Sequence, residues 1–162
     1  MKKLLVAAGL GTLASANVMA DGDQVPFPEG YRTWYHHHTT VNLPGHNPEG
    51  NIGIQHVYAN AAAREGLKTR KYPDGAAFVV DRFKTVEGEN STTKQGDRKV
   101  IATMLRNATK YAETGGWGFE AFKGGDPNQR AVKDMKACFV CHLPHETTGY
   151  VISKGAIQTD VP

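Results

Sequence analysis

The sequence predicts an α+β fold, predominantly an antiparallel β-sheet with short helices packed on it. Three observations carry that expectation. Several segments alternate side chains with a period of two, Gly/Pro/Asn/Asp-rich turns separate them, and no strand–helix–strand rhythm of a parallel sheet is present.

In chain order, DGDQVPFPEG (21–30) combines acids with two prolines and reads as an extended lead-in. YRTWYHHHTTV (31–41) is aromatic and rich in threonine, so a strand is expected there. On a regular strand His36 and His38 face one way and His37 the other, as a surface or dimer-contact run. LPGHNPEGN (43–51) is a loop by its Pro and Gly content, and IGIQHVYAN (52–60) is a strand in which Ile52, Ile54, His56 and Tyr58 alternate with Gly53, Gln55 and Val57. NAAAREGL (60–67) follows as a short helix with Asn60 as its N-cap.

Tyr72-Pro73-Asp74-Gly75 is a turn. AAFVVDRFKTV (76–86) is the clearest strand, GENSTTKQGD (88–97) a polar loop, and RKVIATML (98–105) the returning strand. ATKYAET (108–114) reads as a short helix, and GWGFEAFKGG (115–125) as a Gly-bounded strand. Asp126-Pro127 has the form of an N-cap followed by proline at the first helical position, predicting a helix from there to about His142.

The first twenty residues, MKKLLVAAGLGTLASANVMA, have the plan of a secretory signal: a basic start, an apolar run too short to span a bilayer, and small residues before an acidic segment. The mature chain is then a single domain over 21–162, exported to the periplasm and free of the membrane after cleavage. Without Lys2 and Lys3 it carries 17 basic and 16 acidic residues. That balance, with basic residues scattered, leaves no footprint for nucleic acid or an anionic membrane.

ACFVCH (137–142) holds the only two cysteines. A structural zinc site calls for further ligands that are absent nearby, apart from His145. A thioredoxin-type pair belongs at the start of a helix after a strand, whereas this one lies near a helix end. A disulfide across two residues closes too small a loop to stabilise much. The remaining chemistry uses all three residues: thioethers from Cys138 and Cys141 to one covalent haem c, with His142 delivered beneath the iron. The cofactor is thus anchored on the C-terminal helix.

With those residues in view, the chain resembles the cytochrome P-460 family, which includes the cytochrome c prime beta proteins. The resemblance runs through YRTW, IGIQHVYAN, KYPDG before AAFVVDRF, TGGWGFEAFKG, and ACFVCH followed by GYVISK. It implies a mostly antiparallel β fold, a homodimer and one haem c per subunit. Members with the P-460 spectrum cross-link a lysine to the porphyrin and oxidise hydroxylamine. That lysine position falls on Val80 here, and an arginine of those enzymes falls on Gln55. Lys84 is four residues further along, a slip that strand pairing hardly allows. The departures move the chain toward the cytochrome c prime beta members, which bind nitric oxide in an apolar, phenylalanine-containing distal pocket.

Phe78 and Val80 share a strand face and are the candidate distal wall. Met135 precedes Cys138 on the proximal helix, and Met104, on a strand, reads as core, as do Trp117, Phe119 and Phe122. His46, His56 and His145 read as loop or satisfied strand histidines. The resulting expectation is a five-coordinate haem binding nitric oxide or a similar small gaseous or nitrogenous ligand, or passing electrons to a redox partner that the sequence does not name. The alternative is an oxidoreductase acting on hydroxylamine or nitric oxide, or a weak peroxidase.

Overall fold

The computed structural model describes residues 24–152 and contains a five-stranded antiparallel sheet with two short α-helices. The signal-sequence expectation for residues 1–20 lies outside the described residues. The strands are β1 (Tyr35–Asn42), β2 (Gly53–Ala59), β3 (Ala77–Glu87), β4 (Thr93–Arg106) and β5 (Trp117–Lys123), paired in sequence order. The α+β reading holds.

Helix α1 (Ala61–Thr69) follows β2, and the expected cap is present: Ala63 N donates to Asn60 Oδ1 at 2.9 Å. The same oxygen accepts from Ala77 N at 3.0 Å and the Asn60 amide donates to Gly75 O at 2.8 Å, so one side chain ties α1 to the start of β3. The turn at Pro73–Gly75 closes through Ala76 N to Pro73 O at 3.0 Å.

The strand expected over 31–41 begins only at Tyr35, after a 3-10 turn at Tyr31–Thr33. Three segments expected as loop or helix also need correction. The second half of the 88–97 segment is sheet: β4 begins at Thr93, and the hairpin turns on Asn90 and Ser91, both at positive φ (55° and 58°) as the primed hairpin turns require. The helix expected over 108–114 is a turn about Asn107, with only the 3-10 segment Ala112–Thr114. The long helix from Asp126 does not form. Asp126 instead closes a turn, accepting from Asn128 N and Gln129 Nε2, and Ala131 N then donates to Ala121 O at 2.8 Å, so this segment runs beside β5. Sheet pairing outcompetes the proline-at-N1 signal. Helix α2 spans only Met135–His142, capped by Asp134 Oδ1 accepting from Lys136 N at 2.9 Å.

Both sheet faces are covered. On one, α1, α2 and the Tyr72 turn bury Val57, Ala59, Phe78, Met104, Trp117 and Phe119. On the other, the lead-in packs Phe27, Tyr31 and Trp34 over Val79, Ile101 and Phe122. That second face also buries Asp81, which accepts from Tyr31 Oη at 2.5 Å, Arg32 Nη2 at 2.8 Å and Arg98 Nε at 2.7 Å. A carboxylate without solvent is tolerated because three donors surround it.

The run His36–His38 departs from strand alternation. A bulge leaves His36 opposite Tyr58 but His38 opposite Val57, so His37 is the extra residue. The His37 ring stands 4.7 Å from that of His38 and 6.2 Å from that of Tyr35. His37 and His38 therefore share the Val57 side, and His36 alone faces the other way, towards Tyr58 and His56.

Candidate functional site

The expected site residues meet on the α1/α2 side of the sheet. Register puts Tyr35, Ala59, Phe78, Met104 and Phe119 in one cross-strand row and His38, Val57, Val80, Ala102 and Ala121 in the next. Phe78 and Val80 thus do share a face, with unequal surroundings. Phe78 is buried, 5.7 Å ring to ring from Tyr72 and 6.1 Å from Trp117, whereas Val80, Ala102 and Ala121 form a partly open strip of small side chains. Phe78 serves as core packing and Val80 is the more accessible of the pair.

Cys138 and Cys141 are one helical turn apart on α2, free of any disulfide. Cys138 is half-buried against the apolar cluster and Cys141 is exposed. Burial pushes the Cys138 thiol up, with Cys141 and Glu120 adding to the shift. A redox-active cysteine has the opposite bias, toward thiolate. Among the described residues, no group of three or more His, Cys, Asp or Glu is placed to hold a metal ion together.

His142 closes the helix. Its ring lies 4.9 Å from that of Phe119, and its Nδ1 sits 2.8 Å from Tyr150 O. A carbonyl only accepts, so Nδ1 carries the proton and Nε2 presents its lone pair. Burial pushes the imidazole below its usual range, outweighing the upward effect of the Tyr150 hydrogen bond. A neutral imidazole of fixed tautomer is the form that ligates a metal, and the carbonyl behind it is the usual orienting partner.

The brace behind His142 was invisible as a role in the sequence. Tyr150 N donates to His145 O at 2.8 Å, Thr148 Oγ1 to Val151 O at 2.9 Å, and Trp117 Nε1 to Gly149 O at 2.9 Å. Gly149 has φ 67°, and a Cβ there would stand 2.8 Å from the Tyr72 ring. Only glycine meets both demands. The signal was the GY that follows the cysteine motif.

At the remaining positions, Met104 is buried core, Met135 opens α2, and His145 lies in the 3-10 turns after it. Lys84 lies beyond a register shift, exposed and 3.2 Å from Asp97, away from Val80. His38 is on the site's face, yet Val57 separates it from Val80: two strand spacings, about 10 Å. Gln55 is directly paired with Arg82, whose guanidinium covers its side-chain oxygen.

One fixed-tautomer imidazole, two thiols a turn apart and a strip of hydrocarbon on the same side of the sheet would fit a flat, apolar group whose metal takes an imidazole. They do not suit a hydrated cation, which takes oxygen ligands. No curated protein matches the chain. The family model described as Cytochrome P460 matches residues 28–153, which include every element described above. The chain therefore belongs to the cytochrome P460 family of haem-binding cytochromes.

Proposed function

We propose that the chain is an exported, periplasmic c-type cytochrome with one haem, attached through Cys138 and Cys141 and ligated by His142. Its role is to bind nitric oxide or a similar small neutral ligand, to pass electrons to a partner protein, or both. The observation that carries the reading is the His142 Nδ1 contact with Tyr150 O at 2.8 Å, which places the proton of the neutral ring on Nδ1 and turns the Nε2 lone pair outward, beside two thiols of matching spacing. When bound, the haem supplies a site for a diatomic ligand and one-electron exchange.

The chain's own residues set which ligands benefit. Val57, Val80 and Ala102 offer hydrocarbon and no hydrogen-bond donor. Bound oxygen or peroxide gains little from such a wall, whereas nitric oxide and carbon monoxide need no donor. Hydroxylamine oxidation of the P-460 kind would call for an amine at position 80, where the chain has valine. The apolar reading is therefore preferred over the oxidoreductase. A homodimer is part of the proposal, and light scattering returning only the monomer mass would oppose it.

Expression with haem-attachment machinery tests the core claim. Acid–acetone should fail to extract the haem, and Cys138→Ala with Cys141→Ala should make it extractable or absent. The ferrous protein should show a high-spin spectrum that changes on adding nitric oxide. Haem that is extracted from the unmutated protein would defeat the attachment, and a low-spin six-coordinate ferrous spectrum would defeat the open site.

A further inference from the structure

Beside the strip of small side chains lies a third cross-strand row, Thr40, Gln55, Arg82, Val100 and Lys123. Arg82 is two residues beyond Val80 on β3, so its side chain emerges on the same face. It is half-buried, and its partners are neutral: Nε and Nη2 donate to Gln55 Oε1 at 3.3 and 2.9 Å, and Nη1 donates to Asn51 Oδ1 at 2.6 Å. Three of its five N–H groups are used, and no carboxylate among the described residues pairs with it. The opposite face differs: there Arg98 has Asp81 at 2.7 Å, and Arg130 has Glu120 at 2.8 Å.

A second cation converges on the same segment. Lys99 Nζ donates to Gly50 O and Ile52 O, both at 2.9 Å, and Glu49 forms an ion pair with neither cation. Arg82 and Lys99 therefore both reach the 50–52 segment, and among the described residues their hydrogen-bond partners there are amide oxygens. Burial alone holds the Arg82 guanidinium below its ordinary range, the mark of a charge removed from water without a counter-charge. Gln55 and Asn51 fix the plane of the fork, which is the arrangement that receives two oxygens at once.

We infer that Arg82 is an anion-recognising residue on the cofactor face, receiving a planar group whose two oxygens share one negative charge. The inference rests on the proposed haem function, since the anion has two sources there: a haem propionate, or a small oxyanion from solution such as nitrite. Gln55 and Asn51 are positioning residues for it.

The test uses the haem-loaded protein with Arg82→Gln, and with Gln55→Glu, which keeps the guanidinium packed but gives it a tethered carboxylate that competes with the anion. Two quantities are read: the haem midpoint potential as a function of pH, and the spectroscopic affinity of the ferric protein for nitrite. If a propionate is the partner, both variants lower the potential at neutral pH and move the bend of the potential–pH curve upward, with nitrite affinity unchanged. If a solution oxyanion is the partner, nitrite affinity falls at least tenfold in both variants and the curve stays in place. Either pattern supports the inference. A haem spectrum, potential curve and nitrite affinity that all match the unmutated protein in both variants would overturn it alone. An unmutated chain that carries no haem would overturn the cofactor reading, and this inference with it.

Discussion

At position 80 a single side chain separates two chemistries. Val80 pairs with Val57 and Ala102 and is partly open, so a longer side chain there has somewhere to go. Val80→Lys would place an amine over hydrocarbon, where desolvation lowers its pKa and favours the neutral, nucleophilic form. The haem spectrum of that variant should change. Lys84→Ala should leave it unaltered, because Lys84 is exposed and engaged with Asp97. An unmoved spectrum in Val80→Lys would show that the distal contact lies elsewhere along the strip. On the far side of the sheet, Asp81 has no exposed surface and serves two arginines. Asp81→Leu leaves both without their counter-charge and should cost about 3 kcal/mol, the lower end for a broken buried pair because Arg32 can turn to water. Urea unfolding reads this directly, and a loss below about 1 kcal/mol would mean that the network adds little net stability.

Among the elements, the strands were legible where one chemistry repeated every second residue. IGIQHVYAN, AAFVVDRF and GWGFEAF all lie in the strands that their patterns indicate. The Asn60 cap was legible too, because capping is a contact between near neighbours in sequence. What the sequence hid depends on partners remote in sequence. Arg130 donates to Glu120 Oε2 and Val25 O, both at 2.8 Å, contacts that hold the segment before α2 in extended form against its own helix signal. The His37 bulge and the Gln55–Arg82 pairing are likewise properties of register, which no local pattern encodes. The cysteine–histidine motif could be read because its three residues lie in one short run, and Phe78 and Val80 because alternation puts them on one strand face; Ala102 and Ala121, which complete the strip, could not, because pairing brings them there. The strap that orients His142 gives an element-scale prediction. Gly149→Ala forces a side chain into positive φ and toward Tyr72, which should cost about 1–3 kcal/mol and loosen the imidazole. Expected readouts are a lower melting temperature and a broadened or shifted haem band. A stable variant with an unchanged band would show that the strap tolerates the strain and that His142 does not depend on it.

Across the whole molecule, pH should act through the bulge on β1. Burial, aided by the neighbouring His38 and Arg70, pushes the His37 imidazole down to about 4, and His37 is 5% exposed. Between that value and the unfolded value of about 6.5, the unfolded chain holds a proton that the folded chain does not. Stability therefore rises with pH through this window, is fully present above it, and is lost as pH falls toward 4, by about 3 kcal/mol in all. Burial of His38, which is also shifted downward, steepens the same slope. His37→Phe should flatten the dependence of the urea midpoint across the window, and an equally steep curve would assign the slope to other groups.

The meander has a kinetic consequence as well. Every strand in the sheet pairs with its neighbour in sequence, so assembly proceeds between sequence neighbours with only local connections to close. Helix α2, with Cys138, Cys141 and His142, comes after β5 and adds no strand pairing. Sheet formation need not wait for it. Attachment of the proposed haem should accordingly slow unfolding far more than it speeds folding, the pattern of interactions made after the transition state. In stopped-flow experiments, the doubly substituted Cys138→Ala, Cys141→Ala chain should refold within about threefold of the haem-loaded protein's rate and unfold much faster.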